Sequence, residues 1–252
     1  MIRIVINPKY EHLRDNISQL IHTFRFARSG EILHDARNTI KRFDCDGLSL
    51  AIKRYGHISP LNKIVYCTLR RSKAERAYLH AARLRNLGID TPEEVAFVEE
   101  RHYGILWTSY FISLYSDYRP VMEVIEEKAS DADGPEPLLN RLAGFIYHIH
   151  WAGILHRDLN IGNILCAERQ PGKFSFQLID TNRMEFRQIL SMQERMHNLR
   201  RLSCPLTIYL SILEKYALIL RTERDSLQLK GVLYRLLFEK RERFKSRLKT
   251  LL

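Results

Sequence analysis

The apolar residues of this chain change period part-way along, and that change limits the layers it can build. From Gly30 to Arg54 they alternate in three short runs, Glu31 to His34, Thr39 to Phe43 and Leu48 to Arg54. A period of two turns one face of a strand toward a core. Asp35-Ala36-Arg37-Asn38 and Asp44-Cys45-Asp46-Gly47 separate the runs, and Asp-Gly between apolar runs signals a hairpin. Val95 to Val98 and Ile105 to Ile112 repeat the strand pattern. The helical period intervenes once, over Ser72 to Leu87, where Ala74, Tyr78, Ala81, Ala82 and Leu84 recur and Gly88 offers a stop.

Beyond the acidic, turn-rich segment Ser130 to Pro137, which is expected to join two helices, the helical period dominates. Leu138, Leu142, Phe145, Ile146 and Ile149 form one stripe ending at Gly153, Phe174 to Ile179 reads as a strand, and the remainder from Phe186 reads as helical. Strands first and helices later predict an α+β chain of two lobes. Residues 1–115 form a sheet with one helix, and residues 116–252 are mainly helical.

Composition narrows the function. The 252 residues are 45% hydrophobic, enough for a packed core in each lobe. No run approaches the roughly 18 apolar residues of a spanning helix, and Met1 to Arg14 lacks the pattern of a secretory signal, so a cytoplasmic location is expected. Cys45, Cys67, Cys166 and Cys204 are scattered, which argues against a zinc knot or a disulfide framework and for reduced thiols. A net charge of +11 favours an anionic partner without choosing among nucleic acid, membrane and phosphorylated glycan.

The chemistry concentrates in His156-Arg157-Asp158-Leu159-Asn160-Ile161-Gly162-Asn163, entered from an amphipathic helix and left through the apolar Ile164-Leu165. Asp158 and Asn163, five apart, are spaced to set a carboxylate at an acceptor hydroxyl and an amide oxygen on magnesium during phosphoryl transfer from ATP. A polar helix-to-strand turn is the plain alternative. Asp180 follows the apolar Phe176 to Ile179, at a strand end where a second magnesium ligand is needed; a turn-forming Asp is the alternative there.

Lys53, in Leu50-Ala51-Ile52-Lys53, suits a strand lysine that grips the α- and β-phosphates, with Glu75 on the next helix as its counter-charge. Glu75 paired with Arg71 is the rival reading. No GxGxxG loop occurs, so Arg37 and Asn38 in the Asp35 to Asn38 turn are the candidates for approaching the phosphates, where an ordinary hairpin turn would look the same.

With Lys53, Glu75, His156 to Asn163 and Asp180 in this order, the chain resembles the protein-kinase-like superfamily. Within it the chain is most similar to the lipopolysaccharide core kinases, which phosphorylate Kdo or heptose. The similarity lies in Ala36-Arg37-Asn38-Thr39-Ile40-Lys41, Lys73-Ala74-Glu75-Arg76-Ala77-Tyr78 and Leu87-Gly88-Ile89-Asp90-Thr91-Pro92. Asp180-Thr181-Asn182 departs from the Asp-Phe-Gly of protein kinases.

The resemblance implies a two-lobed protein-kinase-like fold and a cytoplasmic enzyme at the inner face of the membrane. It would use ATP and magnesium to phosphorylate a lipid-linked glycan, with ATP between the lobes and Tyr110 to Tyr115 as the hinge. Asp158 would be the base, Asn163 and Asp180 the metal ligands, and Lys53 with Glu75 the nucleotide grip.

Past Asp180 there is no Ala-Pro-Glu motif, which disfavours a polypeptide acceptor, and Arg183, Arg187, Arg195, Arg200 and Arg201 are placed to meet phosphates on a glycan. The cationic tail Lys240 to Leu252, with its apolar stripe, suits an anionic membrane surface or, equally, a packed terminal helix. A compact atypical protein kinase, a small-metabolite kinase and a non-catalytic scaffold remain open as alternatives. No nucleic-acid-binding module accompanies the charge.

Overall fold

The computed structural model describes residues 1–26, 29–56, 70–131 and 134–250. Cys67 and two residues of the acidic segment, Ala132 and Asp133, lie outside these, as do Leu251 and Leu252. The chain divides into two compact units, one comprising Met1–Asp117 with Asp180–Asn182, the other Tyr118–Ile179 with Arg183–Leu252.

In the first unit, β1 (Ile2–Ile6), β2 (Glu31–Asp35), β3 (Thr39–Cys45), β4 (Leu48–Tyr55), β5 (Glu94–His102) and β6 (Ile105–Leu114) form one sheet. The order among the described residues is β1-β5-β6-β4-β3-β2, with antiparallel pairs throughout. The β3–β4 turn uses Asp46 and Gly47, both at positive φ, as Asp-Gly hairpins do.

Strand alternation sends Phe43, Leu50, Ile52, Val98, Tyr110 and Ile112 into a core sealed by α1 (Arg14–Thr23) through Ile17 and Ile21. The helix α2 (Lys73–Asn86) is capped by Ser72, whose side chain accepts from the Glu75 amide, and it buries Ala74, Ala77, Ala81 and Leu84. Small residues there let it lie close against its neighbours.

Lys41 is the least expected core residue, at 4% exposure. Its Nζ donates to the carbonyls of Phe24, Phe26 and Ser29 at 2.9, 2.9 and 3.0 Å and lies over the Phe24 ring. Three carbonyls replace the water a buried ammonium would lose.

The second unit contains β7 (Arg119–Pro120), α3 (Val121–Lys128), α4 (Glu136–Trp151), β8 (Ile154–His156), β9 (Ile164–Gln170), β10 (Lys173–Leu178) and β11 (Met184–Phe186). It is completed by α5 (Met192–Leu199), α6 (Leu206–Leu220) and α7 (Arg224–Thr250). β9 lies between β10 and β7, while β8 pairs with β11. The mainly apolar α4 and α6 pack on each other, and α6 packs on α7. As expected, the acidic segment joins two helices, α3 and α4.

Several sequence expectations need correction. Tyr110 to Leu114 lie within β6, Tyr110 is wholly buried in the first unit's core, and that unit runs on to Asp117. A strand pairing on both sides cannot serve as a connecting hinge. Phe186 ends β11, so the helical part begins only at Met192. β1, α1 and β9 were not read from the sequence; β1 is an edge strand whose burial only partly alternates.

Gly153 ends α4 with φ near 73°, and its carbonyl accepts from the Arg187 amide at 2.8 Å. A Cβ there would overlap the Arg187 carbonyl oxygen. Gly153→Ala should therefore cost roughly 2–4 kcal/mol, from backbone strain and the displaced β8–β11 pair. Urea midpoints of the two proteins check this, and equal midpoints would refute it.

Candidate active site

In the second unit, β8 delivers the segment His156 to Asn163. His156 is fully buried; its Nδ1 accepts from the Asp158 amide at 3.1 Å and its Nε2 faces the Ile179 carbonyl at 3.0 Å. These partners assign the proton to Nε2. Asn163 Nδ2 donates to the Asp158 carbonyl at 2.8 Å, so the two residues singled out by spacing close one loop. The Asn163 side chain is thereby oriented, and its amide oxygen is the end able to ligate a hard cation. Asp158 keeps a side chain 41% exposed, with Arg183 Nη1 at 3.7 Å.

A buried polar chain supports this loop. Asn198 Nδ2 donates to the His156 carbonyl at 2.6 Å, and Asn198 Oδ1 lies 3.1 Å from His150 Nε2. His150 Nδ1 meets the Tyr216 hydroxyl at 2.7 Å. Tyr216 and His150 are fully buried and Asn198 nearly so. Burial lowers the His150 pKa to about 4, so its ring is neutral, donating through Nε2 and accepting through Nδ1. Arg157, next to Asp158, is held by Glu185 through two short bonds, 2.7 and 2.6 Å.

In the first unit, Lys53 on β4 faces Asp180, with Nζ 2.7 Å from Oδ1. Asp180 sits at φ 56°, a left-handed conformation uncommon for a residue with a Cβ. Its neighbours explain how it is kept there. Thr181 is buried and donates through Oγ1 to the Ala77 carbonyl at 3.0 Å, while its own carbonyl lies 2.7 Å from His80 Nδ1. Burial lowers the His80 pKa, so the neutral ring donates that proton. Asn182 Nδ2 donates to Asp180 Oδ1. Asp-Thr-Asn thus fastens the carboxylate to α2 by polar contacts. Burial, and next the nearby Asp180 carboxylate, push the pKa of Tyr55 well up, leaving a neutral phenol beneath the pair.

The expected Lys53–Glu75 pair is not formed. Glu75 Oε1 lies 3.7 Å from Arg3 and 3.8 Å from Arg71. Arg3 sits on β1 opposite Glu99, where its guanidinium reaches Glu99 and Glu75 together, and Lys53 is satisfied by Asp180. Arg37 and Asn38 occupy the β2–β3 turn, with Arg37 exposed. Lys53 stands opposite Ile40 in the β3–β4 register, which places that turn just beyond the lysine's cross-strand partner.

The Asp180 carboxylate in the first unit and the Asn163 amide oxygen in the second are each, taken singly, the kind of donor that magnesium accepts. Among the described residues no cluster of three or more His, Cys, Asp or Glu offers an all-protein metal cage.

The sequence pattern of the lipopolysaccharide kinase (Kdo/WaaP) family matches residues 34–231, well over half of the chain and inclusive of every residue above from Lys53 to Tyr216. The chain belongs to this family. Lipopolysaccharide core heptose(I) kinase WaaP of Escherichia coli is a family relative 31% identical over 123 residues, 45% of this chain and 46% of that protein. The match thus spans about half the length of that curated relative. A solved structure of WaaP in complex with acyl carrier protein shares the family fold, with a TM-score of 0.63 and 17% identity over 96% of this chain and 98% of that one. The α+β, protein-kinase-like fold expected from the sequence is therefore the fold observed, and the family implies use of a nucleotide and metal.

The buried neutral His150 sets an acid limit on stability. The unfolded chain protonates this ring near pH 6.5 and the folded chain only near 4, so the unfolded state binds the extra proton in that interval. Stability should be unaffected by this group above pH 6.5 and fall by up to about 3 kcal/mol as pH drops to about 4. Urea midpoints across this range should flatten in His150→Gln; an unchanged slope would refute the assignment.

Proposed function

We propose that the chain is an ATP- and magnesium-dependent kinase that transfers the γ-phosphoryl group to a sugar hydroxyl of the lipopolysaccharide core, Kdo or heptose. Family membership supports the reaction class, and the observation that carries the reading is the Asn163–Asp158 closure of the loop with an accessible carboxylate. In this reading Lys53 carries phosphate charge and Asp180 and Asn163 hold the metal. Magnesium, when bound with the nucleotide, supplies charge neutralisation on the β- and γ-phosphates. Arg37 and Asn38 approach the phosphates from their turn. Glu75 acts one step removed: it holds Arg3 and Arg71 beside α2, the helix that anchors Thr181.

Asp158 accepts a hydrogen bond from the acceptor hydroxyl and takes its proton as the new O–P bond forms, while ADP leaves with the electron pair of the broken bond. Arg183 moderates the negative charge at this carboxylate.

A lipid-linked acceptor calls for an enzyme that visits a membrane surface, and α7 is suited to it. Its inner face buries Leu227 and Gly231, yet Leu229, Leu233, Leu236, Leu237, Phe244 and Leu248 are each 45% to 72% exposed. These positions fall on one side of the helix, together with the exposed Lys230, Lys240 and Arg247. No described helix is long and apolar enough to cross a membrane, so contact would be peripheral.

Asp158→Ala should reduce turnover on a lipopolysaccharide core acceptor about 10³-fold, with ATP affinity within about twofold of the parent. Transfer of γ-labelled phosphate and nucleotide titration check this; a parallel loss of ATP binding would sink the role given to Asp158. Leu233→Ser with Leu237→Ser should lower co-sedimentation with anionic phospholipid vesicles about tenfold. Unchanged sedimentation would remove α7 as the membrane contact.

A further inference from the structure

Beside the catalytic loop, wholly within the second unit, lies a cavity of about 230 Å³ whose walls include Arg157, Gln193, Glu194, His197, Arg200 and Arg201. Its charge is unbalanced. Arg200 and Arg201 lie over the same ring, Phe238 of α7, with guanidinium carbons 5.1 and 5.0 Å from its centroid. Among the described residues neither forms an ion pair, and Arg200 Nε is buried with no hydrogen-bond acceptor.

Of the acids nearby, Asp158 acts on Arg201 from the loop, and the others are committed elsewhere. Glu194 is bonded to the amide and hydroxyl of Ser191 in a capping box, Glu185 holds Arg157, and Glu242 pairs with Lys245. Burial and the neighbouring Arg201 and Arg241 lower the pKa of Arg200, and burial does the same to Arg201. Two guanidiniums that lie over one ring, with no ion pair of their own among the described residues, leave positive charge that an incoming oxyanion would balance. His197, whose pKa burial lowers, meets the Tyr234 ring edge-on and brings a ring nitrogen to the wall.

The position of the cavity points to the acceptor. Arg157 immediately precedes Asp158, and Arg201 interacts electrostatically with the Asp158 carboxylate. We propose that this cavity seats a phosphomonoester already carried by the glycan acceptor, held by Arg200, Arg201 and the pre-set Arg157. Three guanidiniums suit the three terminal oxygens of a phosphate better than the single plane of a carboxylate. The assignment of the ligand to a glycan rests on the kinase reading; the anion site itself does not.

The test is calorimetry on the full chain saturated with magnesium and a non-hydrolysable ATP analogue, so that the nucleotide site is filled. Glucose 1-phosphate should bind, glucuronic acid at least tenfold more weakly and glucose not at all. Arg200→Gln with Arg201→Gln should weaken glucose 1-phosphate at least tenfold and leave the ATP analogue within twofold, which also reports that the variant is folded. Arg201→Lys in the parent, which keeps the charge and loses the fork, should weaken binding less than Arg201→Gln does.

Equal binding of glucose 1-phosphate to parent and double variant, or no binding to the parent, overturns the proposal. Inorganic phosphate that binds more tightly than glucose 1-phosphate overturns its acceptor assignment. If sugar phosphate binds as expected but no core glycolipid is phosphorylated, the kinase reading fails and the anion site stands.

Discussion

The loop from His156 to Asn163 rests on one buried chain of hydrogen bonds, Tyr216 to His150 to Asn198 to the carbonyl of His156. It runs through groups almost wholly removed from solvent, where any unmade bond would be expensive. The chain links α4, α5 and α6 to the end of β8, so three helices fix the backbone two residues before Asp158. Burial keeps His150 neutral within it. His156 then passes the constraint on, gripping the Asp158 amide with one ring nitrogen and the Ile179 carbonyl with the other.

The first unit solves a parallel problem with different residues. Asp180 needs a left-handed backbone, and Thr181 and Asn182 hold it there by polar bonds to α2 and to the carboxylate itself. A Phe-Gly pair would offer packing and freedom at these positions, whereas Thr-Asn offers fixed hydrogen bonds. The two sets, Lys53 with Asp180 and Asp158 with Asn163, are thus each held by a local polar scaffold.

Much of this was legible in the sequence, for identifiable reasons. The strands around Lys53 announce themselves through strict alternation and Asp46-Gly47, and the loop from His156 to Asn163 through a spacing that its chemistry demands. Partners chosen by tertiary approach were not legible. Glu75 was assigned to Lys53, but Arg3 arrives from β1, a strand whose sequence carries little alternation. Nothing local to Lys41 says that the carbonyls of Phe24, Phe26 and Ser29 will surround it. Nor does the sequence say that His150, just ahead of the loop, and Asn198 will meet; only the fold brings them together.

The measurement that bears most directly on the account is mass spectrometry of a lipopolysaccharide core glycolipid after incubation with the protein, ATP and magnesium. The account predicts one added phosphoryl group on a Kdo or heptose residue, absent when magnesium is chelated. An unmodified glycolipid alongside phosphorylated protein, or a glycolipid phosphorylated without magnesium, would contradict it.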